Sequence, residues 1–97
     1  MSNPATNMFY VSGSKENIEF VLSKISEYFN NIFIIHKDDD YTELEFDSDW
    51  TFPEVEMTEI YENLPDKDNI WIRCLSYEFG TFYHSFWICD EDGWKEV

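Results

Sequence analysis

A two-layer α+β sandwich is the architecture this sequence predicts, and three observations predict it. Two stretches, 18–29 and 57–64, repeat apolar residues at helical spacing. The stretches around them alternate apolar and polar residues or run apolar over strand length, and Gly, Asn, Asp and Pro punctuate the joins. Read in order, the elements are β-α-β-β-α-β-β, with two helices on one face of an antiparallel-rich sheet. A chain of 97 residues buries somewhat over half of its unfolded surface, enough for one core and hence a single domain, 1–97.

The segment "NMFYVSG" alternates briefly and ends on Ser-Gly, so a strand over 7–12 leads into a tight turn, with residues 1–6 loose. Ser14 has the character of an N-cap. Ile18, Val21, Leu22, Ile25 and Phe29 then fall at i, i+3, i+4, i+7 and i+11, one apolar stripe of a helix that stops near "FNN". "NIFIIHK" is a short β-branched run of strand length, and Asp38, Asp39 and Asp40 form the loop to a second strand of a hairpin, 41–48. Thr51 stands three residues before Glu54, a capping-box pattern, with Pro53 in the first turn of a second helix. Its stripe is Met57, Ile60, Tyr61 and Leu64, Pro65 closes it, and Glu56, Glu59 and Glu62 face outward. Residues 69–93 form a long hairpin broken at Gly80, with aromatic residues on both faces.

Within this frame "YTELEFDSDW" is unusual. Side chains alternate along a strand, so Glu43, Glu45, Asp47 and Asp49 share one face, and Leu44, Phe46 and Trp50 share the other. Carboxylates about 6.6 Å apart repel by about 0.6 kcal/mol in water and about 2.5 kcal/mol at a protein-surface dielectric of ~20. A row kept without interspersed lysine is well hydrated, and it is either a solubilising surface or a contact surface for cations.

The charge of the chain is as uneven as that strand. Of the net −15, a segment from Asp38 to Asp68 holds 13 acids against the single base Lys67. Charge of this sign repels nucleic acid and anionic lipid and steers the chain toward basic protein surfaces. Direct nucleic-acid binding and membrane association are therefore excluded from the expected functions. An RNA reader would also need bases among its strand aromatics, where only Arg73 stands. The start has neither a basic nor an apolar leader pattern, and no run approaches a membrane span, so a cytoplasmic location is expected. An aromatic content of 20% exceeds what one small core needs, which leaves rings such as Trp71, Tyr77, Tyr83, Trp87 and Trp94 divided between core and surface. Cys74 and Cys89 form no CxxC pair and are expected as buried free thiols, the alternative being a pair across one hairpin.

Chemistry finds little support. An EF-hand loop needs Gly at its sixth position, where the loop from Asp38 has Glu43, and a loop from Asp90 outruns the chain. A zinc site would need Cys74, Cys89, His36 and His84 to converge without any short ligand spacing. Two histidines and many carboxylates permit a paper triad or carboxylate pair, but no Gly-rich or cleft-forming loop accompanies them. The expectation is a protein that is not an enzyme, with no catalytic residue, metal or cofactor.

The segment "FDSDWTFPEVEMTEIYENLP…SYEFG" resembles the ferredoxin-like domain of uncharacterised phage and plasmid proteins, through Trp50, Pro53, Leu64, Pro65, Glu78 and Gly80 and the leading "FYVSG", with Phe52 where members carry a second proline. The resemblance implies a mobile-element origin and no catalytic residues. In size and charge the chain is also similar to small acidic phage inhibitors of CRISPR or restriction machinery. Phosphates rise about 3.4 Å each along a DNA strand, so alternate carboxylates, together with those of the second helix, are expected to offer a charge density of the same order. The expected partner is the basic surface of a host nucleic-acid-binding protein or ribonucleoprotein, and the expected contact residues are Glu43, Glu45, Asp47, Asp49, Glu56, Glu59, Glu62, Asp38, Asp39 and Asp40. The alternative is an interaction domain, as a homodimer or a subunit of a larger assembly, whose acidic face is only solvated.

Overall fold

The computed structural model describes residues 3–97. It contains β1 (Pro4–Gly13), α1 (Lys15–Tyr28), β2 (Asn30–Lys37), β3 (Tyr41–Asp49), α2 (Glu54–Glu62), β4 (Ile70–Glu78), β5 (Tyr83–Asp90) and β6 (Gly93–Glu96). All pairings are antiparallel, and the six strands follow the order β2-β3-β1-β4-β5-β6. The small α+β architecture with two helices is the expected one. The sixth strand is not: "GWKE" is too short to register as an alternating pattern, and it forms because Gly93, at φ +98, turns the chain back beside β5.

Alternate residues of the central strands bury one side of the sheet. Phe9 and Val11 of β1, Leu44 and Phe46 of β3 and Ile72 and Cys74 of β4 join one core with Ile18, Val21 and Ile25 of α1 and Met57 and Ile60 of α2. Both helices therefore use their stripes against the same sheet face. Phe46 is packed by Phe9, 5.5 Å away edge to face, and by Phe29, stacked at 4.7 Å. The opposite side of β1, β3, β4 and β5 carries no helix.

Three local expectations change. β1 begins at Pro4, so residues 4–6 are not loose: Ala5 is fully buried and pairs with Ser48. Residues 1 and 2 of that expected loose start lie outside the described residues. The Thr51–Glu54 capping box does not form; Pro53 is the N-cap, without a side-chain cap bond. Phe52 anchors this end instead, stacked on Trp87 at 4.4 Å and edge-on to Trp94 at 5.2 Å, while its N–H donates to the Tyr83 hydroxyl. Burying one ring against two others outweighs a cap worth about 1 kcal/mol. Trp50, finally, does not continue the apolar face of β3, because it leaves the strand at φ +67 and its ring is half exposed.

Ser14 caps α1 as expected, its Oγ accepting from Asn17 N–H at 3.2 Å. The turn before it requires glycine: Gly13 lies at φ +133, and a Cβ there would stand 1.9 Å from the Asn69 carbonyl oxygen. Asn17 completes this corner. It is fully buried, donates through Nδ2 to the carbonyls of Asp66 and Asn69, at 2.5 and 2.8 Å, and accepts the Asp66 N–H at 3.0 Å. One side chain thus ties the start of α1 to the α2–β4 connection. Replacing it by alanine (Asn17→Ala) removes three hydrogen bonds and leaves the Asp66 N–H without its acceptor, while the Asp66 and Asn69 carbonyls keep the N–H groups of Asn69 and Ser14, and is expected to cost about 2 kcal/mol. Urea unfolding measures this; a loss under about 0.5 kcal/mol would show that the corner is held by other contacts.

Candidate functional site

The backbone of β3 lies between β2 and β1, and its alternation is strict: Thr42, Leu44, Phe46 and Ser48 are buried toward the helices, and Glu43, Glu45 and Asp47 project to the uncovered side. They are half-buried there. Register sets Glu43 between His36 and Tyr10, Glu45 between Phe33 and Met8, and Asp47 between Asn30 and Thr6. None of the three has a described lysine, arginine or histidine partner within ion-pair distance. Asn31 Nδ2 donates to Asp47 Oδ2 at 2.8 Å, a contact made possible by Asn31 at φ +56. Asp49 is exposed at the end of the strand.

The other expected contact residues divide between two places. Asp38, Asp39 and Asp40 stand at the β2–β3 turn, all exposed, and Asp39 lies 3.9 Å from Lys15 Nζ at the start of α1. Glu56, Glu59 and Glu62 belong to α2, in the helix layer, so the strand row and the helix row do not merge into one surface. Glu59 is engaged by Tyr28, whose hydroxyl donates to Oε1 at 2.9 Å, and this bond raises the tyrosine pKa. Only at the start of α2 do the two sets meet: Asp47, Asp49, Glu54 and Glu56 line a cleft of about 430 Å³ together with Tyr28 and Asn30.

Around the acidic strand the uncovered face is apolar and aromatic. Arg73 lies 4.3 Å above the Tyr10 ring, Tyr10 stacks on Tyr41 at 5.4 Å, and Tyr41 stacks on His36 at 4.6 Å. This ladder crosses four strands. Met8, Leu75 and Phe86 form a neighbouring row, since Met8 pairs with Leu75 and Leu75 with Phe86. Sequence reading missed these as site residues because an isolated apolar residue on a strand is indistinguishable from core until the helix-covered face is known. Arg73 stands in register across Tyr10 from Glu43, yet its guanidinium rests on the ring and forms no ion pair.

At the β2–β3 turn, His36 Nε2 lies 2.8 Å from Asp38 Oδ2, and Asp38 Oδ1 accepts the N–H groups of Asp40 and Tyr41. The hydrogen bond from His36, followed by those two amides, lowers the Asp38 pKa to about 2. Cys74 and Cys89 are free and buried on the helix side, while His36 and His84 belong to other parts of the sheet. Cys74 pairs with Trp87 and Cys89 with Ile72, so the thiols are diagonal neighbours on adjacent strands. Burial raises both thiol pKa values, that of Cys89 to about 12 with Asp90 adding to it. Among the described residues, no three His, Cys, Asp or Glu side chains converge as metal ligands, and no helix is long and apolar enough to cross a membrane.

Two measurements check this geometry. In an NMR titration the Asp38 carboxyl should have a midpoint near 2, and His36→Ala should move it up toward the ordinary value of about 3.9. Because the folded value is the lower one, the turn's contribution to stability is complete above about pH 4 and is lost as pH falls through 2. A midpoint near 3.9 in the unaltered chain would show that the turn does not hold in solution. Both thiols should resist Ellman's reagent at pH 8 until denaturant is added; rapid labelling of the folded chain would contradict their burial. Comparison with protein-family models, with curated proteins and with solved structures finds no match to this chain.

Proposed function

We propose that this chain is a non-catalytic acidic binding protein, encoded by a phage or other mobile element, that inhibits a host nucleic-acid-binding defence complex by occupying its basic surface in the cytoplasm. The observation that carries the reading is the row Glu43, Glu45 and Asp47: three carboxylates in one register, half-buried and without a cation of their own. A partly desolvated charge attracts an incoming cation more strongly than a fully hydrated one. Asp49 follows the row in register, Asp38, Asp39 and Asp40 add negative charge at the neighbouring turn, and Glu56, Glu59 and Glu62 add a second acidic surface whose role is long-range steering. We read β2-β3-β1-β4 as a ferredoxin-like unit extended by β5 and β6. Support for this comes from β1-α1-β2 and β3-α2-β4, each of which leaves one strand between the two it connects, the split βαβ arrangement.

A second reading draws on β2. It is an edge strand with Phe33, Ile34 and Ile35 exposed, which favours an interaction domain that pairs with another chain or a second copy. Sedimentation at micromolar concentration separates the readings, since a stable dimer supports the second.

For the first, the immobilised chain is exposed to extracts of cells carrying nuclease defence systems, and each captured protein is purified and assayed for nucleic-acid binding. Captured complexes should lose nucleic-acid binding when the chain is added. The double reversal Glu45→Lys, Asp47→Lys should weaken capture on the order of 10- to 100-fold while the circular dichroism stays unchanged, and raised salt should slow association. Capture that survives the reversal, or a partner whose nucleic-acid binding is unaffected, rejects the reading.

A further inference from the structure

We infer that the uncovered face of the sheet docks a cationic amphipathic helix of the partner protein, laid along β1 and β4 with a line of Lys or Arg over β3. This rests on the acidic-binder reading and specifies the form of the partner. The apolar seat is Met8, Leu75 and Phe86, side by side on β1, β4 and β5 and 36–45% exposed. With Ile35 of β2 they surround a shallow depression of about 210 Å³ whose rim holds Tyr10, Glu43 and Arg73.

Charge fixes the orientation. On the β3 flank of this seat stand Glu43, Glu45 and Asp47 without a described ion-pair partner, while on the β5–β6 flank Lys95 is already held by Asp90 at 3.5 Å and Asp92 at 3.9 Å. A helix whose basic edge lies over β3 and whose apolar stripe lies over Met8 and Leu75 meets both. Spacing fits as well. Alternate residues of a strand repeat every ~6.6 Å and helix positions i, i+4, i+8 every ~6.0 Å, so three cations can each face one carboxylate with a drift of only about 1 Å. Lysine and arginine absorb that drift easily.

Other occupants fit less well. An extended segment could match the spacing, but it satisfies its backbone by adding to a sheet edge, whereas a helix arrives with its backbone already paired. A second copy would set two chains of net charge −15 together, with two acidic rows in one interface.

The probe is a synthetic 18-residue peptide with Leu on one stripe and Lys at i, i+4 and i+8 beside it, compared with a scrambled peptide of the same composition. By fluorescence anisotropy the patterned peptide should bind at least tenfold more tightly and gain helical circular dichroism. Met8→Glu and Phe86→Glu should each weaken it about tenfold or more, whereas Val55→Glu, which adds the same charge on exposed α2, should not. On the unaltered chain, amide shifts induced by the peptide should fall on Met8, Glu45, Leu75 and Phe86, a readout that does not depend on the variants folding.

Equal binding of both peptides, lost on Glu45→Lys but not on Met8→Glu, would overturn the helix inference and leave the acidic-binder reading standing. Shifts confined to α1 and α2 would also overturn it. Binding of neither peptide, with capture of a basic partner intact, would overturn the helix inference alone.

Discussion

The register of β3 is the constraint on which the rest of the molecule depends. Leu44 and Phe46 are held under the helices by Phe9, Phe29 and the core around them, and with a side-chain period of two their burial forces Glu43, Glu45 and Asp47 to the other side. A slip by one residue would bury three carboxylates and expose two of the core's larger side chains. Unpaired buried charges cost several kcal/mol each, so the alternative register is closed on both counts. The acidic face is in this sense a by-product of hydrocarbon packing beneath it.

Buried amides reinforce the same constraint. Asn7, fully buried on β1, donates through Nδ2 to the Phe46 carbonyl at 3.1 Å and to Ser48 Oγ at 2.9 Å, and Ser48 Oγ in turn donates to the Thr51 carbonyl. These bonds hold β3 against β1 at the end where the strand gives way to the turn before α2. Asn17 plays the corresponding part at the opposite corner, binding the α2–β4 connection to α1. Such groups stabilise only when all their bonds are made, and they thereby specify one arrangement of the elements.

Much of this was legible in the chain, and the reasons differ by element. The α1 stripe and its Ser14 cap are local signals with strong periodicity, and the alternation of β3 is a local signal too, so both could be read directly. Asn7 and Asn17 were not, because asparagine marks turns and surfaces far more often than cores, and only long-range geometry reveals their partners. The start of α2 was misread for a similar reason: the pattern Thr51–Glu54 competes with Phe52, whose ring finds Trp87 and Trp94, 35 and 42 residues away. The candidate site was half legible. Which carboxylates share a face follows from period two, but the apolar seat beside them depends on strand order, and strand order is not written in any one segment.

Strand β2 carries a further consequence. In a chain with 21 acidic residues, its eight positions contain none, and it is an outermost strand with unpaired backbone on one side. Two register irregularities against β3 and Lys37 at its end interrupt that edge, and the mutual repulsion of the acids behind it adds to them over about 8 Å at physiological ionic strength and less as salt rises. The colloidal behaviour of this protein is accordingly tied to its ionic surroundings: concentrated brine or acid removes the repulsive part of that guard and leaves only the bulged geometry of the edge.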